Sequence, residues 1–264
     1  MENGREKFFA GVDVGSTTTE MVVIDGGKNI RATSRTATAG DVRLAAHQVY
    51  EDCRRQLLHP GEDRFTVFST GYGRAHVAYA GRALSEIICY GIGVHHLDVG
   101  VRTIIDIGGQ DAKAIRIDDQ GKVQDFAMND KCAAGTGRFL EMLAHSFCIE
   151  LDGLAECAAA SQKTLKISAT CAVFAESEMI SFIARGENRN DLLAAAHVSV
   201  AERVAALVRQ IGLQPPLMFC GGVARNRHLG RVLARELGVE PLIPEDCEMV
   251  GALGAALLAV REMA

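Results

Sequence analysis

FFAGVDVGSTTTEMVVID, residues 8–25, reads as a strand, a polar turn and a second strand, and its pattern recurs in RTIIDIGGQDAKAIRID, residues 102–118. Each copy opens on an aliphatic run, reaches an aspartate, turns at glycine and leaves on another apolar run. Asp25-Gly26-Gly27-Lys28 then turns the first copy into a third strand near 29–36. Asp119-Gln120-Gly121-Lys122 turns the second into a strand over 122–128. Setting Asp13 on Asp106 brings the two hairpin turns into register to within one residue. Such an internal repeat implies two lobes, each opening with a β-meander and a glycine-rich first turn.

Outside the two copies, an amphipathic helix is expected at roughly 41–58, a strand at 64–69, the loop TGYGR at 70–74 and a helix at about 84–97. Beyond residue 135 helices dominate, at about 135–147, 152–161, 171–185 and 190–211. PPLMFC (215–220) reads as a buried strand ending at Gly221-Gly222, followed by a helix at 226–237, a short strand at 239–243 and a final helix at 249–262. Proline is nearly absent before residue 215, Pro60 apart, so no linker divides the chain. The lobes expected are 1–98 with 246–264, and 99–245.

The chain has 264 residues, 48% of them hydrophobic, with 27 glycines and few aromatics. That suits a globular α/β protein and excludes a disordered one. The net charge is −5 with Lys and Arg dispersed, which excludes a nucleic-acid-binding or polybasic membrane surface. The N-terminus has no apolar stretch long enough for a signal peptide, and GALGAALLAV (251–260) is far short of a membrane span. A cytoplasmic location is therefore expected, with the 8 cysteines as thiols or metal ligands rather than disulfides. No Cys-x-x-Cys occurs, which removes zinc ribbons, thioredoxin-like sites and ferredoxin-type cluster runs.

Glycine lets a backbone approach phosphate closely, and following amides and hydroxyls donate to its oxygens. Gly15, Ser16, Thr17 and Thr18 offer those groups in the first copy, Gly108 and Gly109 in the second. Asp13 and Asp106 are suited to hold a hydrated Mg²⁺ from two sides of a cleft. Gln110 or Asp111 is placed to orient a water for attack on a terminal phosphate. A third turn, FCGGVARN (219–226), carries Gly221 and Gly222 after a buried strand and opens a helix, as an adenosine-binding corner would. Either repeat turn alone reads equally well as a tight hairpin; the pair in register with a third turn favours phosphate binding. No G-x-x-x-x-G-K-[ST] is present, so a P-loop is excluded, and no G-x-G-x-x-G joins the first strand to a helix.

DVGSTTT, DIGGQD and CGGVARN resemble the first phosphate, second phosphate and adenosine motifs of the superfamily of acetate kinase, sugar kinases, heat-shock chaperones and actin. GALGAALLA (251–259) resembles its small-residue connecting helix. The resemblance spans nearly the whole chain. It implies an α/β, ribonuclease H-like duplicated fold, the actin-like ATPase fold, with two lobes around a cleft for ATP or ADP.

Cys132 lies in MNDKCAAGTGRFLE (128–141), before a helix expected to start near Gly135, and Cys171 lies in ISATCAVFAESE (167–178), at the start of another. A thiolate at a helix N-terminus is favoured as a metal ligand. A buried cysteine is equally a small inert hydrophobe, and spacing alone does not separate the two readings. With STGYGR (69–74), these segments resemble the activators of 2-hydroxyacyl-CoA dehydratases, which share a family with the ATP-binding subunits of benzoyl-CoA reductase. That resemblance implies one [4Fe-4S] cluster per homodimer, held by Cys132 and Cys171 of both chains. It further implies reduction by ferredoxin or flavodoxin. ATP-driven transfer of one electron would then reach an acceptor dehydratase or reductase carrying its own iron–sulfur centre. Gly135 and Gly137, in the GTG turn after Cys132, offer a short route from nucleotide to cluster. Cys53, Cys89, Cys148, Cys157, Cys220 and Cys247 are read as ordinary thiols. A small-molecule kinase of the same superfamily would leave Cys132 and Cys171 without a role, and a chaperone-like scaffold needs a peptide-binding segment that the chain has no length for.

Overall fold

Every residue of β1 (Phe8–Val14) is buried, because its alternating side chains meet cover on both faces of the sheet. Phe8, Ala10, Val12 and Val14 pack with Ala46, Val49, Tyr50 and Cys53 of α1 (Val42–Leu57). Phe9, on the opposite face, packs with Cys89 and Ile92 of α2 (Glu86–Leu97) and with Ala252, Ala255 and Ala256 of α8 (Val250–Met263). The computed structural model describes residues 7–57, 65–167 and 172–263.

The chain divides into two compact units. Unit 1 comprises Met1–Gly100, Ile117–Val123 and Glu248–Ala264; unit 2 comprises Val101–Arg116 and Gln124–Cys247. Unit 1 holds a sheet ordered β3-β2-β1-β4-β5, with β2 at Thr18–Asp25, β3 at Ile30–Ala37, β4 at Phe65–Thr70 and a two-residue β5 at Arg82–Ala83. The second sheet is ordered β8-β7-β6-β9, with β6 at Thr103–Ile107, β7 at Ala112–Ile117, β8 at Val123–Asn129 and β9 at Leu217–Cys220. The shared order is the expected duplication: β1 pairs antiparallel with β2 and parallel with β4, and β6 pairs antiparallel with β7 and parallel with β9. The second hairpin turn begins at Asp118, one residue earlier than expected. Asp25 N donates to Asn29 O at 3.0 Å, and Asp118 N to Lys122 O at 2.9 Å, so the copies align without a slip.

Small residues let α8 pack against backbone. A Cβ at Gly11 would run into the carbonyl of Ala252, and one at Gly254 into the carbonyl of Cys89. In unit 2 one core joins β6 and β7 to α3 (Gly137–Ser146), α4 (Leu154–Ala159), α6 (Arg189–Ile211) and α7 (Arg227–Leu237), with Phe139, Leu154 and Phe219 buried in it. The remaining helix, α5, spans Ala172–Ala184. The strand expected at 239–243 is instead a single bridge, Met218 to Leu242, because Pro241 and Pro244 supply no amide to a ladder. No helix among the described residues is long and apolar enough to cross a membrane.

Candidate functional site

The two repeat turns are the same object built twice. Gly15 N donates to Thr18 O at 2.9 Å, and Gly108 N to Asp111 O at 3.0 Å. Gly15, Ser16, Thr17 and Thr18 are all partly exposed, as a ligand-binding turn requires. Thr38 braces this turn, its hydroxyl donating to Gly15 O at 2.9 Å and its amide to Thr17 O at 2.8 Å.

Each site aspartate is walled by a glycine that follows the parallel neighbour strand. Asp13 lies beside Thr70, and a Cβ at Gly71 would collide with the Asp13 carboxylate. Asp106 lies beside Cys220, and a Cβ at Gly221 would stand 2.5 Å from Asp106 Oδ1. Both glycines hold the left-handed φ that glycine alone adopts cheaply, +85° and +84°. Gly251, in the first turn of α8, also abuts the Asp13 carboxylate without room for a side chain.

In unit 2 the second and third turns and the GTG turn converge. A Cβ at Gly137 would stand 3.0 Å from Gly108 O, 3.2 Å from Val223 Cγ2 and 3.3 Å from Gly109 Cα. Gly137 N donates to Gly108 O at 2.9 Å and Arg138 N to Gly109 O at 2.8 Å. Gly135 turns the chain with φ +97° against the stem of Arg203. Gly221 N donates to Cys247 O, and Gly222 is exposed at the start of the 3-10 turn preceding α7. Asn226 caps α7, accepting from Leu229 N at 3.0 Å.

The buried groups beside the two aspartates are opposite in charge type. Lys113, on β7 directly across from Asp106, reaches Asp106 Oδ2 at 2.9 Å and Asp111 Oδ1 at 2.8 Å. Glu20 occupies the matching place across from Asp13. Burial, and then the Asp13 charge, hold the Glu20 carboxyl well above the usual carboxylate range. Neither residue was singled out by pattern, although counting cross-strand partners back from the aligned turns would have found both. Asp106 Oδ1 and Glu20 Oε1 are buried atoms without a hydrogen-bond partner. Gln110 is exposed, whereas Asp111 is fixed by Lys113.

Cys132 is part-exposed in the β8–α3 loop, where Asn129 Nδ2 donates to its carbonyl at 2.9 Å. Helix α3 begins at Gly137 rather than near Gly135, and its leading amides bond the carbonyls of Gly108 and Gly109. The helix thus opens five residues after Cys132. Cys171 lies outside the described residues. Burial pushes the Cys53 and Cys89 thiols up to about 12 and raises Cys220 well above its ordinary value, which makes them poor ligands.

Comparison with known proteins matches this geometry along nearly its whole length. A 2-hydroxyisocaproyl-CoA dehydratase activator of Clostridioides difficile is 42% identical over 255 residues, covering 97% of this chain and 96% of the relative. The (R)-2-hydroxyglutaryl-CoA dehydratase activating ATPase of Acidaminococcus fermentans is 40% identical over 258 residues, covering 97% and 98%. The solved activator of the 2-hydroxyisocaproyl-CoA dehydratase from Clostridium difficile with bound ADPNP superimposes with a TM-score of 0.89 at 40% identity, covering 97% of this chain and 95% of that one. The duplicated sheets, the paired aspartate–glycine turns and the third turn are thus the actin-like ATPase fold in its activator form. The profile of the BadF/BadG/BcrA/BcrD ATPases matches residues 10–259, and the chain belongs to that family.

Proposed function

We propose that this protein hydrolyses ATP to drive single electrons from a [4Fe-4S] cluster into a 2-hydroxyacyl-CoA dehydratase or a related reductase. One observation carries the reading: the loop bearing Cys132 runs straight into α3, whose first two amides are hydrogen-bonded to the glycines of the second phosphate turn. A change in that turn on nucleotide binding or hydrolysis is transmitted to the cysteine loop through two backbone bonds. The near full-length likeness to dehydratase activators supports the choice of acceptor.

The residues fit both cofactors. Asp13 and Asp106 are hard oxygen donors of the kind Mg²⁺ takes, and Asp106 keeps one carboxylate oxygen unpartnered. Gly15 to Thr18, Gly108 and Gly109 serve the phosphates, Gly221 and Gly222 the adenosine, and Asp111 the attacking water. Gly135 and Gly137 contribute by shaping the link to Cys132. A part-exposed thiol on a loop, as Cys132 is, suits iron better than the fully buried thiols do. Cys132 and Cys171 of two chains would hold the cluster, which supplies one-electron transfer at low potential. A homodimer is further supported by the exposed Ile180 and Ile183, neighbours one turn apart on α5, the helix following Cys171, which leave apolar surface to be covered. Ferredoxin or flavodoxin is the donor in this reading, and the compartment is the cytoplasm.

The test is iron content and acceptor activation of Cys132→Ser and Cys171→Ser prepared without oxygen. Both variants are expected to lose iron and activation while still binding ATP. Full iron and full activation in either would refute the assignment.

A further inference from the structure

Lys113 is 2% exposed, a buried ammonium that reaches two carboxylates at once. Burying a cation is costly without close partners, and a strand–turn–strand has no intrinsic need of one. The internal repeat serves as the control. Unit 1 builds the same turn, with the same amide-to-carbonyl bond, the same cross-strand register and the same left-handed glycine beside its aspartate. It does so with Thr18 where unit 2 has Asp111, and Glu20 where unit 2 has Lys113. The lysine and its second carboxylate therefore occur together, in the second turn alone, and folding of the turn does not account for them.

We propose that Lys113 is a positioning residue for ATP hydrolysis, acting through Asp111 and Asp106 to fix the second turn against the nucleotide. The inference rests on the ATPase reading above. Lys113 takes Asp111 Oδ1, which leaves Asp111 Oδ2, without a hydrogen bond among the described residues, as the atom presented to water. In the step so served, the water oxygen forms a bond to the γ-phosphorus. The bond from that phosphorus to the β,γ-bridging oxygen breaks, and its electron pair leaves with ADP. The proton released by the water passes through Asp111 to the phosphate produced. Lys113 itself, enclosed under the turn, touches no substrate. Its ammonium also offsets two carboxylates that would otherwise repel a triphosphate.

The experiment compares the unaltered chain with Lys113→Met, Asp111→Asn and the double variant, by ATP turnover, calorimetric affinity for a non-hydrolysable ATP analogue, and thermal unfolding. Lys113→Met is expected to lower turnover about a hundredfold, the scale of a misplaced catalytic group. Analogue affinity should stay within about threefold, and the double variant should turn over no more slowly than the worse single variant, because the two residues act as one unit. Unchanged turnover overturns the proposal, as do additive losses or a parallel collapse of analogue affinity and melting temperature. If the methionine variant does not fold, Lys113→Gln, which still hydrogen-bonds, should cost at least about tenfold in turnover, and full turnover there overturns it equally. Absence of ATP turnover in the unaltered chain defeats the ATPase reading and this role together. Turnover indifferent to Lys113 defeats the role alone.

Discussion

Gly221→Ala isolates the contribution of the glycine wall beside Asp106. The residue sits at φ 84°, ψ 170°, a region essentially restricted to glycine, where another residue costs about 1–3 kcal/mol. Its new Cβ would stand 2.5 Å from both Asp106 Oδ1 and the carbonyl oxygen of Ile107. Backbone cannot swing away as a side-chain tip can, so overpacking adds about 1–3 kcal/mol. The sum centres on about 4 kcal/mol. Gly238→Ala is the control: it is also left-handed, at φ 69°, ψ 17°, but has nothing within 4 Å of the added methyl. It carries only the conformational penalty, about 1 kcal/mol.

For 264 residues the entropy of unfolding is about 0.55 kcal/mol/K, from about 2.1 cal/mol/K per residue. The melting temperature should therefore fall by about 7 °C for Gly221→Ala and about 2 °C for Gly238→Ala, read by circular dichroism without nucleotide. Calorimetric titration with a non-hydrolysable ATP analogue should show a further difference. Gly221→Ala displaces the Asp106 carboxylate and should weaken binding by about tenfold or more, equivalent to about 1.4 kcal/mol. Gly238→Ala should bind normally. Equal falls in melting temperature, or normal analogue binding by Gly221→Ala, would refute the reasoning.

Gly254→Ala would force a methyl into the carbonyl of Cys89 where α8 crosses α2, and should destabilise by at least about 3 kcal/mol; denaturant unfolding within about 1 kcal/mol of the unaltered chain would count against that close packing. His228 should make the protein acid-sensitive in a defined window. Burial, followed by the nearby His197, Arg231 and Arg235 charges, holds its imidazole down to about 4 against an ordinary 6.5. The unfolded chain then binds the proton more readily, so stability is intact above about pH 6.5 and declines as pH falls towards 4. His197 contributes in the same direction because its full burial lowers the imidazole, against the opposing pull of its hydrogen bonds with Leu193 O at 2.7 Å and Asn226 Nδ2 at 2.8 Å. His228→Gln should give a shallower decline over that window in urea unfolding at stepped pH, and an unchanged slope would exclude His228 as a source.

The strands, the helices and the two aspartate–glycine turns were legible because each is written locally. A continuous aliphatic run marks a buried strand, and a glycine after an aspartate marks a turn. What was not legible depends on which residues stand opposite one another. Lys113 and Glu20 carry no pattern of their own and gain meaning only once β6–β7 and β1–β2 are paired in register. Gly71 and Gly221 become equivalent only when β4 and β9 are laid parallel to β1 and β6, a pairing between segments far apart in sequence. The short strand expected before α8 was over-read because Leu242 and Ile243 are apolar, while the prolines on either side limit it to a bridge. The helix after Cys132 was expected to start near Gly135. Gly135 is a left-handed turn residue, and the helix waits for Gly137.

Duplication constrains which differences between the halves carry chemistry. Whatever the fold needs of the turn must be present in both copies, and both keep the aspartate, the first glycine and the glycine beyond the parallel strand. Whatever appears in one copy alone has been kept for another reason. Unit 2 alone has the buried Lys113 bridging two carboxylates, and it is also the unit whose turn is hydrogen-bonded to the base of the Cys132 loop. The same two glycine carbonyls that a nucleotide would disturb are the acceptors that hold α3 in place. In the reading proposed above, setting the charge-compensated turn next to the cysteine loop passes a displacement at phosphate to that loop through two backbone bonds, Gly137 N to Gly108 O and Arg138 N to Gly109 O.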